Sequence, residues 1–113
     1  MSKLDEKVGK YIDVVRAKTG QEPDVDLLRK ITRGCGPSIY NADRETIAAS
    51  QPGEMETVKN NFLIRKLGLS DGPKLDGALA AVIEVYGMSD TNKYRAVIYY
   101  MLTKHFGKED VYR

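Results

Sequence analysis

Residues 33–43, RGCGPSIYNAD, gather the side chains best suited to chemistry. Cys35 is the only cysteine of the chain, and His105 is its only histidine. A nucleophilic thiol needs a base, a cation or a helix N-terminus beside it to stabilise the thiolate. Arg33 stands two residues away, and a Cys35–His105 dyad forms only if the last helix ends beside this loop. Cys35, Gly36, Ser38, Tyr40 and Asn41 therefore form a candidate functional loop. A competing reading makes the stretch a corner between helices, with Cys35 a small buried hydrophobe. Gly34 and Gly36 permit a positive φ where a helix stops. Pro37 then prevents that helix from continuing. The corner is the stronger reading. GCGPS lacks the Gly-Lys-Ser/Thr ending of a P-loop and the third glycine of a dinucleotide fingerprint, and no strand precedes it.

A second constellation is NKYRAVIYY, residues 92–100. Lys93, Arg95, Tyr99 and Tyr100, taken with Arg65 and Lys66, form a candidate basic–aromatic surface. Cations interleaved with aromatic rings can neutralise phosphates and stack bases. Against this, Tyr94 falls on the core face of the last helix, and Tyr99 and Tyr100 flank that face as boundary residues. His105 lies on the same apolar face near the helix end, where it reads as a packed residue serving chain-end carbonyls. One cysteine and one histidine do not make a zinc site, which wants four N or S ligands, or three plus water. Asp71, Asp76 and Glu84 fall at caps or on polar faces rather than pairing in a cleft for acid–base work. No catalytic, metal or cofactor-binding residue is assigned, no cofactor is expected, and an enzyme is disfavoured.

The elements that must hold these residues are helices. Leu4, Val8, Tyr11, Ile12 and Val15 repeat at helical spacing, and Gly20 follows as a stop. Asp24 caps a second run through Val25, Leu27, Leu28 and Ile31. A short helical turn is expected over Arg44–Ala49. A longer helix is capped by Ser50 or Gln51. Its apolar residues Met55, Val58, Phe62, Leu63 and Leu67 spread over a wide arc, leaving Ile64 off the face. Ser70 or Asp71 caps the next, with Leu75, Ala78, Leu79, Val82, Ile83 and Tyr86 inward and Val85 off the face. The last runs from about Asp90 to Phe106. No stretch alternates with period two between hairpin turns. The pattern predicts an all-α, single-domain bundle over residues 1–113, of about five helices plus one short helix or turn, with 107–113 a candidate flexible tail.

The chain has 113 residues, one domain's worth. Its net charge of +2 is too near neutral to imply a polyanion partner. Residues 70–90 carry one lysine against four acids, and residues 91–113 carry five basic residues against two acids. These opposite segments are expected to complement each other within the fold. No apolar run approaches the ~20 residues of a membrane span. The N-terminus MSKLDEKVGK has no apolar core of a signal peptide, and a lone cysteine excludes an internal disulfide. A cytoplasmic location is expected.

GCGPSIYNAD, ETVKNNFLIRKLGL and NKYRAVIYYMLTKHF, in that order, resemble a family of small uncharacterised bacterial proteins, a domain of unknown function. The resemblance spans about residues 25–112. It implies a bacterial source and a compact helical fold, and it carries over no site residue. The function expected from the residues is a non-enzymatic helical interaction module that binds another protein or itself. The alternative is weak nucleic-acid binding through the basic C-terminal helix with Arg65 and Lys66, which the charge balance disfavours.

Overall fold

The computed structural model describes residues 2–112, so Arg113, counted above among the basic residues, lies outside them. Helix α1 spans Lys3–Thr19, opened by a reciprocal Ser2–Asp5 capping box and closed by Gly20 at φ 70°. Helix α2 spans Val25–Gly34, with Asp24 accepting from the N–H of Leu27. A 3₁₀ turn, Gly36–Tyr40, leads into the short α3, Ala42–Glu45. Helix α4, Pro52–Thr57, continues as a π-helix over Val58–Lys66. Helix α5 is Pro73–Tyr86, α6 is Arg95–Phe106, and a 3₁₀ turn over Glu109–Tyr112 ends the described chain. Among the described residues the only β-pairing is an isolated antiparallel bridge between Thr46 and Tyr94. The chain is an all-α single domain.

Helix α6 is the centre of the bundle. Ala96, Val97, Ile98, Tyr100, Met101, Leu102 and Thr103 are buried, which covers it on nearly every side. A helix apolar all round belongs inside, and α1, α2 and α5 all pack on it. The core also takes Tyr11, Leu28, Ile31, Ile39, Ile47, Leu63 and Leu75.

Three expectations change. Helix α6 starts at Arg95 rather than near Asp90. Residues before it are drawn out by the Thr46–Tyr94 bridge and by the N–H of Ile47 donating to Lys93 O at 2.8 Å. The same pairing stops α3 at Glu45, so the turn expected over 44–49 sits earlier and is shorter. Residues 107–112 fold back rather than trail away, with Lys66 Nζ 4.9 Å from the centroid of the Tyr112 ring.

Candidate functional site

The RGCGPSIYNAD stretch is a corner. The N–H of Cys35 donates back to Ile31 O and Thr32 O, closing α2. Gly36, at φ 68°, turns the chain. Ser38 Oγ donates to Cys35 O at 2.9 Å, and Asn41 Oδ1 accepts from the N–H of Asp43 at 2.9 Å to cap α3. Ile39 is buried and Tyr40 is exposed. Burial pushes the Cys35 thiol up to about 12, a shift the charge of Arg95 only partly opposes. Cys35 also couples to the hydroxyls of Tyr11, Tyr99 and Tyr112, none of them a base. His105 is exposed rather than packed. Its ring meets Phe106 edge-on, and it lines a different part of the surface together with α1 and α5.

The basic–aromatic set does not form one surface. Arg65 and Lys66 are exposed. Lys93 and Tyr100 are each only 5% exposed. The Tyr100 hydroxyl accepts from the N–H of Asp24 at 2.9 Å. Arg95 donates to Glu54 at 2.8 Å, to Arg44 O at 3.0 Å and to the Tyr99 hydroxyl at 3.3 Å. The Tyr99 ring stacks on Phe62 with centroids 3.9 Å apart. Between segments 70–90 and 91–113 the charge of Lys93 acts on Asp90, and the acids of the first segment also find partners elsewhere. Asp71 and Asp76 meet Lys59 of the π-helix, and Asp90 meets Lys18 of α1.

Sequence reasoning missed Glu45. It is 8% exposed, and its Oε2 accepts from Tyr11 OH at 2.6 Å, Lys7 Nζ at 2.9 Å and Lys10 Nζ at 3.1 Å. Burial pushes this carboxyl up, but the three donors outweigh it and hold the group below its ordinary value. Lys10 also sits 4.2 Å from the centroid of the Tyr94 ring. The cluster ties α3 to α1. In sequence the acid is 34 residues from its tyrosine, and no local spacing joins them.

Several clefts open beside α5, among them one of about 370 Å³ between Met55, Asp76, Leu79, Ala80, Ile83, Glu84 and Met88. Of two others, the first, about 320 Å³, runs between the end of α1, α5 and α6. Val15, Ala81, Val82, Val85 and Met101 give it an apolar floor, Glu22 stands on the α1 rim, and Lys104 and His105 stand on the α6 rim. The second, about 380 Å³, lies between residues 47–50 and 88–93, with Lys93 in its wall. Both fall in the size range of small-ligand pockets. Val85, 56% exposed, borders the first, and Met88, 75% exposed, borders the second. Among the described residues no group of three or more His, Cys, Asp or Glu comes together in a way that could hold a metal ion. No helix there is long and apolar enough to cross a membrane.

Residues 10–110 match a protein family described as "Protein of unknown function (DUF2853)". No curated protein matches the chain.

Proposed function

The chain belongs to the DUF2853 family, and we propose that it acts as a non-enzymatic helical interaction module. The occupant is a segment of a partner protein that presents an apolar side chain flanked by a carboxylate to the cleft between α1, α5 and α6. One observation carries this reading. Val85 stands exposed at the edge of an apolar cleft whose α6 rim is basic, while the acid on the opposite rim, Glu22, is already held by Arg16 at 2.8 Å. Lys104 pairs at the surface with Glu109 at 3.5 Å, and such pairs exchange at little cost. Charge complementarity of this kind sets orientation and on-rate, while the apolar anchor supplies most of the affinity.

The same pairing argument disfavours nucleic acid. Each phosphate contact needs a cation facing the backbone. Lys93 is buried, Arg95 is held by Glu54, and Lys59 is held by Asp71 and Asp76.

Selection from a random-peptide display library tests the proposal. Enriched peptides should pair an apolar residue with Asp or Glu and bind the Val85→Glu variant about tenfold or more weakly. Peptides that bind this variant equally well, or no enrichment at all, would overturn it. A dimer in sedimentation that Val85→Glu dissolves would move the occupant from a foreign protein to a second copy.

A further inference from the structure

We propose that the cleft over Lys93 is a binding site for a small carboxylate bearing a short apolar chain. The site lies on other residues than the peptide cleft, and nothing in the proposed function requires it. The first observation is the lysine itself. Lys93 Nζ donates to Met88 O at 2.9 Å and to Asp90 O, two carbonyls of the turn that leaves α5. An ammonium has three N–H donors. Two of them are used in this way, in a residue that is 95% buried yet lines an open cleft. A buried charge is strongly favoured to take an anionic acceptor, because few water molecules compete for it.

The second observation is the surrounding charge. Asp90 also lines the cleft, and its carboxylate is held by Lys18 Nζ at 2.5 Å and by the N–H of Asn92 at 2.8 Å. Two ammonium groups against one carboxylate leave a single positive charge. A monoanion balances it, whereas a phosphate dianion would add a charge that nothing there neutralises. Ser50, Ser89 and Thr91 also line the cleft. The third observation is the floor. Ile47, Ile83 and Met88 line the same cleft with apolar side chains, and Met88 is 75% exposed. A chain lying under Met88 would remove that side chain from water. Both walls are pinned in advance. Ile47 N–H donates to Lys93 O at 2.8 Å, Gln51 N–H to Ala48 O at 2.9 Å and Asp90 N–H to Gly87 O at 3.1 Å, so little ordering is left for binding to do.

The probes are hexanoate, 1-hexanol and inorganic phosphate, titrated into ¹⁵N-labelled protein. Hexanoate should move the amides of residues 47–50 and 88–93 and bind about tenfold tighter than hexanol, the worth of one charge-assisted bond. Phosphate should bind more weakly than hexanoate. Lys93→Met should erase the preference for the acid, but it also strips two turn carbonyls of their donor. Met88→Asp alters an exposed side chain only, and should weaken hexanoate about tenfold by placing a carboxylate at the mouth. Val85→Glu, which lines the other cleft, should leave hexanoate binding unchanged. Equal binding of hexanoate and hexanol, shifts centred elsewhere, phosphate binding the tighter, or an unaffected Met88→Asp variant would each overturn the proposal.

Discussion

Replacing Glu45 by glutamine removes a charge and little else. Glu45 is 8% exposed, and one oxygen of its carboxylate takes three donors. Its bond from the buried Tyr11 hydroxyl, at 2.6 Å, is charge-assisted, and bonds of that kind are worth about twice a neutral one, so the amide loses about 1 kcal/mol there. The side chains of Lys7 and Lys10 are 25% and 39% exposed. Pairs so wetted contribute about 0.2–1 kcal/mol each. Glu45→Gln should therefore cost about 2 kcal/mol at neutral pH, or about 8 °C in Tm at this chain length. Urea unfolding followed by circular dichroism measures it. The pH dependence carries a second signature. The folded carboxyl lies below its ordinary 4.5, so on acidification the unfolded chain takes up its proton first. Stability from this group is complete above the ordinary value and is lost as pH falls through the folded one. The variant should lose less stability between pH 6 and pH 3, about the span of carboxylate titration. Part of the acid slope should remain, because Arg29 holds Asp5 low and Lys18 holds Asp90 low. A cost under about 0.5 kcal/mol, the usual surface value, or an unchanged acid slope would refute the reasoning.

Three further outcomes follow from the corner and the charge layout. Cys35, with its thiol pushed up to about 12, should react slowly with a disulfide reagent in the native state and fast in denaturant, and Cys35→Ser should cost about 1–3 kcal/mol. Fast native labelling would contradict the burial. Gly36→Ala should cost about 1–2 kcal/mol from the positive φ alone, since no atom lies within 4 Å of the added carbon. Gly34→Ala is the control and should be near neutral, because its added carbon meets only Tyr112 at an ordinary 3.7 Å; chemical denaturation of both separates strain from crowding. Duplex DNA and structured RNA should bind weaker than micromolar at about 150 mM salt in fluorescence anisotropy, and tight, steeply salt-dependent binding would mean the basic residues converge.

Local signals carried much of the fold. Asp24, Gly20 and Gly87 stand where a cap and two stops belong, and α1, α2 and α5 follow their apolar stripes. The wide arc from Met55 to Leu67 was the trace of a π-helix. Val58, Phe62, Leu63 and Leu67 are buried at spacings of four and five, and Leu67 N–H donates to Phe62 O, an i→i+5 bond. What local pattern could not supply was distance. The start of α6 depends on Thr46 and Ile47 pairing with residues 93–94. The sequence of α6 shows one apolar face, while its place at the centre of the bundle is a property of the other helices. His105 extends that face beyond the point where neighbours cover it, and so it reaches solvent. The corner at Cys35 was legible from glycine and proline alone. Glu45 and the cleft over Lys93 were not, because each joins segments far apart in the chain.

The interaction module stands or falls most directly on where a selected peptide binds. Amide shift mapping of ¹⁵N-labelled protein with the tightest library peptide gives that location. An interaction module as proposed requires the largest shifts within residues 15–22, 81–85 and 100–105, the segments that line the first cleft, and their loss in Val85→Glu. Shifts centred on Arg65, Lys66 and the Cys35 corner, with those three segments silent, would contradict it.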